Sequence, residues 1–471
     1  MVKFLNGNLV FLVIILFGSL LRVYNLTFDD LWYDEIISFW VSSPQHSLLE
    51  SFTIHNRIEI NTFTYHFFLK NIYNIFGYDL NLARYFSAFF GIWSIILSYQ
   101  LSEVLKIKDL RNFLAFLIAF NIFLISYSQE GRVYSVLFFF SLLSFIYFLK
   151  VLSQRYYKKD LFQFTVYTSI AIFLHPFALI ILFSFTSYLI LKVFFDKESS
   201  KEINFAVLLI YIFSFIFYSF FFLSIENSHS EHYWISNPDL KFFTNFFFSN
   251  FFGSRLMGLI FLISLISLIL KEKKFIGEFN IISIFLISII LIYFLPILFG
   301  YIYKPVLVPR YIIFVLIPVF VLITYFTFRI RNNTLRRFLY TFLITLTIGN
   351  HFTEQTFRQF TEDRIPSKPE YKNAVSFMKN SKINNYLIKV EHMKSNNDTI
   401  HAISNYINIL NNSSYRFKNL NFENFQTKST FWQFCPQDIN KKGCLFDIDK
   451  DYEVMKEKNL KNINLKLIRL L

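Results

Sequence analysis

Acidic and aromatic side chains follow the first apolar segment of the chain. The run from Leu9 to Leu21 carries no charge, and Trp32, Asp34 and Glu35 come shortly after it. A carboxylate at a membrane surface can accept the proton of an attacking hydroxyl and so act as a general base. We therefore interpret Asp34 and Glu35 as candidate catalytic residues. The preceding pair Asp29 and Asp30 we interpret as solvated loop carboxylates.

Two further segments place charged side chains between apolar runs. Glu130 and Arg132 separate two of these runs, with Tyr127 just before them, and Arg310 and Tyr311 head a late run. Ionisable groups at the border of a membrane are candidates for function, and the planar fork of arginine suits a phosphate. Glu130 and Arg132 are alternatively a loop ion pair, and Arg310 with Tyr311 an interfacial anchor.

Histidine and tryptophan mark two more turns. His175 precedes a proline, and Trp234 follows His229 and His232. We take His175 and Trp234 as candidate substrate contacts. The alternatives are a hydrogen-bonded interfacial histidine and an aromatic belt. His229 and His232 have metal-ligand spacing but show no third ligand, so we predict no metal site.

The composition is that of a membrane protein. Of 471 residues, 54% are hydrophobic, 21% aromatic and 17% charged, and the mean hydropathy is +0.43. Soluble domains are usually about a quarter charged. The net charge of +14 is dispersed into short clusters between apolar runs, so it does not indicate nucleic-acid binding. We predict a polytopic α-helical membrane protein.

Apolar runs predict about 11 transmembrane helices. They lie at about 8–24, 82–103, 112–126, 133–151, 161–193 (two spans), 204–223, 255–270, 279–300, 311–328 and 338–350. Every second loop is rich in Lys and Arg, which indicates cytoplasmic loops. The N-terminus is then cytoplasmic, and a long first loop, 25–80, is extracytoplasmic. A single long helix over 161–193 is the alternative to the hairpin, and within the loop Asn61–Phe76 suits an interfacial helix better than a span.

The C-terminal part has a different composition. Residues 351–471 lack long apolar runs, and we predict a small extracytoplasmic α/β domain beside a transmembrane module, residues 1–350. We expect helices at Lys368–Lys379 and Thr399–Leu410, and strands at Tyr386–Val390 and Leu465–Leu470. Cys435 and Cys444, the two cysteines of the chain, form a disulfide or remain two free thiols.

Several of these segments together resemble a known family. The run Arg22–Ser38, RVYNLTFDDLWYDEIIS, is similar to the first outer loop of bacterial GT-C glycosyltransferases of the protein-O-mannosyltransferase-like class (glycosyltransferase family 39-like). Tyr127–Ser135, YSQEGRVYS, is close to that class's Y-S-Q-E-A-R-x-Y-S. Weaker matches are Asn61–Phe76, the segment around Arg84, His175, Trp234-Ile235 and Pro309-Arg310-Tyr311.

The resemblance covers residues 8–330 and has departures. Gly131 stands where the class has Ala, Pro176 follows His175 in place of Tyr, and Asn61-Thr62-Phe63 replaces the usual Pro-Pro. These departures affect details of acceptor binding more than the reaction. The C-terminal part matches only loosely.

The resemblance implies transfer of a sugar from a polyprenyl-phosphate donor to an acceptor hydroxyl. It implies an inverting reaction on the extracytoplasmic face of the plasma (inner) membrane, with Asp34 as base and Glu35 and Glu130 as further catalytic residues. The substrate-binding residues would be Arg132, Arg310, Tyr311, His175, Trp234, Tyr127 and Arg84. We expect no cofactor and no required metal. The partners would be membrane lipid, the lipid-linked donor and a glycan, lipid or protein acceptor. A lipid or glycan transporter is the alternative, and an envelope-assembly scaffold a third possibility.

Overall fold

The computed structural model of the chain describes residues 2–59, 61–107, 111–153, 158–196, 201–224, 235–271, 282–353, 366–381, 387–391, 397–412, 416–419, 429–437 and 451–471. Packing divides the chain into two compact units. Unit 1 comprises Met1–Tyr24 and Arg84–Asp363, and unit 2 comprises Asn25–Ala83 and Arg364–Leu471. This division differs from the predicted boundary near residue 350, because the first loop packs with the C-terminal part.

Unit 1 is helical. Its helices are Val2–Val23, Leu82–Val104 (whose first two residues belong to unit 2), Arg111–Phe120, Ile122–Ser128, Tyr134–Leu152, Lys158–Leu174, Leu179–Asp196, Lys201–Ser224, Leu240–Asn245, Phe248–Phe251, Arg255–Lys271, Ser283–Ile302, Leu316–Arg329 and Asn333–Thr353. Two 3₁₀ segments, Pro176–Ala178 and Pro309–Val315, lead into the helices that follow them. Both begin with a proline, whose fixed φ suits the first helical position.

Among the described residues, six helices are long and apolar enough to cross a membrane, and seven if one bent pair is a single span. The six are Leu82–Val104, Tyr134–Leu152, Pro176–Phe195, Lys201–Phe220, Ser283–Ile302 and Pro309–Arg329. The chain is accordingly a multi-pass membrane protein, although the predicted count of 11 spans is not confirmed. The region 161–193 forms two helices that separate at His175, where the hairpin interpretation placed the turn, and of the two the stretch Pro176–Phe195 is among these six.

The predicted single span 112–126 is broken. Helices Arg111–Phe120 and Ile122–Ser128 meet at a bend of 57°. Asn121 sits at the break, where its side-chain oxygen accepts the N–H of Leu124 at 3.0 Å and its amide donates to the carbonyl of Phe251 at 2.8 Å. An asparagine that caps a new helix competes with continuation of the old one. The bend was missed because the apolar pattern continues across it.

The first helix is fastened to Arg111–Phe120 by a buried arginine. The Arg22 guanidinium is 1% exposed and donates to the carbonyls of Gly18, Ala119 and Ile118 at 2.8–2.9 Å. A buried charge is tolerated only with such hydrogen bonds. The close approach of these two helices also explains Gly18, where an added Cβ would lie 2.9 Å from the Cβ of Ala119.

One glycine in unit 1 lies against backbone. A Cβ on Gly258 would lie 2.5 Å from the carbonyl carbon of Phe248 and 2.5 Å from the amide nitrogen of Ser249. Backbone atoms cannot move aside as a flexible side chain can. We therefore expect Gly258→Ala to lower the unfolding free energy by about 3 kcal/mol, the upper end of the usual cost of overpacking.

A second glycine supplies the matched control. Gly349 also lies inside a helix, but nothing lies within 4 Å of an added Cβ. Gly349→Ala should be neutral or stabilising by up to about 1 kcal/mol, because alanine is the better helix former. Thermal unfolding of the purified variants in detergent measures both. Equal melting temperatures for the two variants would contradict the close approach of Gly258 to the backbone of Phe248 and Ser249.

Unit 2 combines five described helices with one mixed sheet. The helices are Tyr33–Val41, Leu48–Ile58, Thr64–Phe76, Tyr371–Asn380 and Asn397–Asn411. The strands are β1 Leu387–Val390, β2 Lys418–Asn419, β3 Thr430–Pro436, β4 Tyr452–Leu460 and β5 Ile463–Leu470, in the order β2-β1-β3-β5-β4. β1 pairs parallel with β2 and β3, whereas β3–β5 and β5–β4 are antiparallel.

The predicted elements of the C-terminal part are present. The helix near 371 buries Tyr371, Val375 and Met378, the face that the sequence predicted. Strand β1 and the helix Asn397–Asn411 also lie where we expected them. Cys435 in β3 is disulfide-bonded, which decides between the two alternatives for this residue. Cys444 lies outside the described residues.

Candidate functional site

The Asp34–Glu35 turn opens the first helix of unit 2. Glu35 is 2% exposed, and its carboxylate accepts the backbone N–H of Trp32 at 3.4 Å, so it helps to cap its own helix. Asp34, one residue earlier, is half-buried. The hydroxyl of the neighbouring Tyr33 lies 3.4 Å from the hydroxyl of Thr399. The Glu35 carboxylate thus has a structural contact, and Asp34 is the more accessible of the two acids.

Asp29 and Asp30 are not solvated, which corrects our interpretation. Both are 8% exposed. Asp29 accepts the N–H and hydroxyl of Ser367 at 2.7 and 2.9 Å, and Asp30 accepts the N–H of Lys372 at 2.7 Å and pairs with its ammonium at 3.1 Å. Lys372 lies in the first turn of the helix Tyr371–Asn380, where free N–H groups favour an anion. These carboxylates fasten the first loop to the C-terminal part.

The first loop makes two more contacts with the C-terminal part within unit 2. The N–H of Leu31 donates to the hydroxyl of Tyr406 at 3.0 Å. The ammonium of Lys368 lies 4.7 Å from the ring centroid of Trp32. Since these contacts flank Asp34 on the N-terminal side, they fix the backbone that carries it. The position of the candidate base therefore depends on residues more than 300 positions away.

In unit 1 the candidate residues gather at the ends of apolar helices. The rings of His175 and Tyr311 are 4.9 Å apart, and that of Tyr134 lies 6.3 Å from each of them. The Arg310 guanidinium lies 5.8 Å from the Tyr134 ring and 5.7 Å from the Tyr311 ring. Tyr127 joins through its ring, 5.1 Å from Tyr134. We call His175, Arg310, Tyr311, Tyr134 and Tyr127 the arginine–aromatic cluster.

Arg132 borders this cluster. It is 4% exposed, its backbone carbonyl accepts the hydroxyl of Ser87 at 3.2 Å, and its charge acts on His175. Glu130 is half-buried, and its carbonyl accepts the N–H of Arg132 at 2.8 Å. Arg84, 2% exposed, lies one turn before Ser87 on the same helix. The bent helix Ile122–Ser128 leads into this segment, so the break at Asn121 sets its direction.

Two arginines act electrostatically on His175. Burial, together with the charges of Arg310 and Arg132, lowers the pKa of His175 from 6.5 to about 3. His175 is therefore neutral at any physiological pH. Its Nδ1 accepts the N–H of Phe177 at 3.3 Å, so its proton is on Nε2. Two arginines beside a neutral imidazole and tyrosine hydroxyls form a site that suits an anion.

The depressed pKa predicts acid sensitivity. The unfolded chain binds a proton at His175 below pH 6.5, whereas the folded chain does not until about pH 3. Folding stability from this residue is therefore present above pH 6.5 and is lost as the pH falls towards 3. We expect His175→Asn to flatten the decline in melting temperature between pH 7 and pH 5, because asparagine can still cap Phe177 but does not titrate.

Thermal unfolding at several pH values measures this effect. The control is His401→Asn, which replaces an exposed histidine on the helix Asn397–Asn411 and should leave the decline unchanged. If the wild type and His175→Asn lose stability in parallel, His175 does not control the acid sensitivity.

The structure shows where the predicted site residues lie, while their roles stay predictions. The structure brings Tyr127, His175, Arg310 and Tyr311 together in unit 1, with Arg132 in electrostatic range. Asp34 and Glu35 belong to unit 2, so the grouping of all candidates on one substrate stays a prediction. Trp234, His229 and His232 lie outside the described residues. Tyr134 was missed as a site residue, although it stands in the YSQEGRVYS segment.

Comparison with known proteins yields only distant structural likeness. No family model and no curated protein matches the chain. The Archaeoglobus fulgidus oligosaccharyltransferase in complex with zinc and sulfate is 13% identical with a TM-score of 0.47, covering 88% of this chain and 58% of that one. The archaeal oligosaccharyltransferase AglB from Archaeoglobus fulgidus, with an inhibitory peptide and a dolichol-phosphate, is 11% identical with the same TM-score, covering 90% and 62%. This chain thus spans less than two thirds of their length, and the likeness is too distant to assign a function.

Proposed function

We propose that this chain is an integral membrane glycosyltransferase that moves a sugar from a polyprenyl phosphate to an acceptor hydroxyl. One observation carries the proposal: two arginines and a neutral histidine lie together at the ends of apolar helices. Such a site suits a lipid phosphate, because the lipid tail can lie among apolar helices while the phosphate charge is bound by cationic donors. The resemblance of Arg22–Ser38 and Tyr127–Ser135 to the GT-C class adds the sugar as the group transferred.

The proposed reaction is a single displacement. The Asp34 carboxylate takes the proton of the acceptor hydroxyl, whose oxygen attacks the anomeric carbon as the bond from that carbon to the phosphate oxygen breaks. The attack comes from the face opposite the phosphate, so the configuration inverts. The negative charge that develops on the leaving phosphate is stabilised by Arg310 and Arg132. The proton on Asp34 is then released to water, which restores the carboxylate, and free polyprenyl phosphate is the second product.

The other candidates have supporting roles in this proposal. Glu35 holds the backbone turn that presents Asp34, as its bond to the N–H of Trp32 indicates. Tyr311, Tyr127 and His175 line the phosphate side, and the neutral His175 donates a hydrogen bond through Nε2. Glu130 and Trp234 contact the acceptor or the sugar, and Arg84 supports the segment at Arg132.

The location of the protein is part of the proposal. We place it in the plasma (inner) membrane with a cytoplasmic N-terminus, and the site and the C-terminal part on the extracytoplasmic face. The Lys- and Arg-rich loops support this orientation. The phosphate leaving group can be stabilised by arginine alone, so the reaction as written requires no divalent metal. The acceptor is a hydroxyl on an envelope glycan, lipid or protein.

Mass spectrometry of envelope glycans and lipids tests this function in the cell. Cells that lack the chain should lose one class of molecule and accumulate the same molecule smaller by one sugar residue. Complementation with the wild-type chain should restore it. Identical mass profiles with and without the chain, under conditions in which it is made, would contradict the proposed transfer.

A further inference from the structure

Two histidines and a glutamate of unit 2 have their ligand atoms within 4.8 Å of one another. His55 lies in the last turn of the helix Leu48–Ile58 and Glu59 is the extended residue that follows this helix. His66 lies in the first turn of the helix Thr64–Phe76. The N–H of Glu59 donates to the carbonyl of His55 at 2.8 Å, which holds the two residues one turn apart. The sequence analysis missed this set, because the third ligand is in a different helix.

A backbone hydrogen bond fixes the state of one of the rings. The Nε2 of His55 lies 2.6 Å from the carbonyl oxygen of Asn61. A carbonyl oxygen only accepts, so Nε2 carries the proton and the lone pair of the neutral ring is on Nδ1. Histidines that ligate metals usually donate their other N–H to a carboxylate or a backbone carbonyl in this way, which orients the ring and raises its basicity.

The two imidazoles are buried against each other. His55 is 0% and His66 2% exposed, and their ring centroids are 4.9 Å apart at 52°. The rings of Phe63 and Tyr65 lie 5.5 Å from that of His55 and 5.7 Å from that of His66, respectively. Aromatic walls on one side of a set of nitrogen and carboxylate ligands limit the access of bulk water, and an apolar surround is common at metal sites.

We propose that His55, Glu59 and His66 bind one zinc ion that holds the two helices together. Two imidazole nitrogens and one carboxylate are a donor set that zinc accepts, whereas Mg²⁺ and Ca²⁺ prefer oxygen alone. Bonds of about 2.0–2.1 Å in a tetrahedron place ligand atoms roughly 3.3 Å apart. Ligand atoms within 4.8 Å of one another therefore approach by at most about 1.5 Å, a distance that small rotations of the three side chains can supply.

The zinc ion completes a link between consecutive helices of the first loop. A water molecule takes the fourth position. The site uses none of the residues assigned to sugar transfer, so it is independent of the proposed function. Its failure would leave that function untouched, and the reverse also holds.

Zinc content measures the site directly. The full-length protein, purified in detergent, is stripped with a chelator, dialysed against Zn²⁺ and then against metal-free buffer, and analysed by mass spectrometry for metals. We expect one zinc per chain, and a loss of at least 80% of it in His66→Gln and in Glu59→Gln. Added Zn²⁺ should raise the melting temperature of the wild type but not of Glu59→Gln, and Mg²⁺ should raise neither.

A control variant and Co²⁺ spectroscopy distinguish the loss of a metal ligand from misfolding. His401→Gln removes an exposed histidine elsewhere in unit 2 and should retain the full zinc content. Co²⁺ in place of zinc should give the visible absorption bands of a tetrahedral site in the wild type and in His401→Gln alone. Glu59→Gln is nearly isosteric and half-exposed, so it should fold and elute like the wild type. A wild-type chain without zinc, or full zinc content in folded Glu59→Gln, would overturn the proposal.

Discussion

Replacing Asp34 with asparagine should lower the rate of sugar transfer by at least a hundredfold. A general base in a positioned carboxylate contributes roughly 10²–10⁴-fold to a rate, and an amide cannot accept the proton. Asparagine has the same shape as aspartate, and Asp34 is half-buried without being part of the core. The variant should therefore fold and be inserted like the wild type, and only the chemical step should slow.

Initial rates with a labelled polyprenyl-phosphate sugar, at saturating donor, measure this effect. The matched control is Asp79→Asn, an exposed aspartate of the same unit whose carboxylate accepts a local backbone N–H at 2.8 Å. Asparagine can accept the same bond, so transfer should stay within twofold of the wild type. Unchanged transfer in Asp34→Asn would remove Asp34 from the mechanism.

Replacing Arg310 with alanine should lower transfer by about 10²–10³-fold, because one charged donor to a developing oxyanion is typically worth that much. Arg310→Lys should recover only part of the loss, since an ammonium keeps the charge but not the planar fork. We expect the effect in kcat rather than KM if the contact strengthens as the phosphate leaves.

Arg329 supplies a close control for this variant. Its guanidinium lies 5.6 Å from the ring of Tyr325, much as Arg310 lies 5.7 Å from that of Tyr311, but at the opposite end of the same helical segment. Arg329→Ala loses an equivalent ring contact and should keep its transfer rate. Equal losses in the two variants would show that the effect comes from packing and not from the phosphate.

The sequence predicted best those features that are set locally. Apolar runs predicted most helix positions, and the proline after His175 marked the break between two helices because proline fits the start of a helix. The spacing of Tyr371, Val375 and Met378 identified a buried helix face, which the structure confirms. Each of these signals lies within a few residues of the element that it predicts.

The features that were missed depend on residues far apart in the sequence, or on segments in which apolar residues do not recur at a regular spacing. Strand β3 is buried on both faces, so its sequence does not alternate, and β4 is a charged, exposed edge strand without an apolar face. Charges on edge strands discourage pairing with other chains and mask the strand pattern. Asp29 and Asp30 looked solvated because their partners lie 338 and 342 residues away.

The candidate site shows the same division. The arginine–aromatic cluster was predictable as a set of polar residues between apolar runs, but not the ring contacts that join them. The lowered pKa of His175 depends first on its burial and then on two arginines from other segments, which no local pattern indicates. The proposed zinc ligands could not be predicted for the same reason, since only the packing of two helices brings His66 to His55.

The transfer of label from donor to acceptor in lipid nanodiscs tests the central claim most directly. Nanodiscs have no interior, so a transporter can produce no signal in them. The purified wild-type chain is given polyprenyl phosphate carrying radiolabelled mannose, glucose or arabinose, together with an envelope extract as acceptor. We predict that label moves to the acceptor from one of these donors, and that one polyprenyl phosphate is released for each sugar transferred. Label that stays on every lipid in nanodiscs, yet crosses the bilayer of sealed vesicles containing the same protein, would contradict the account.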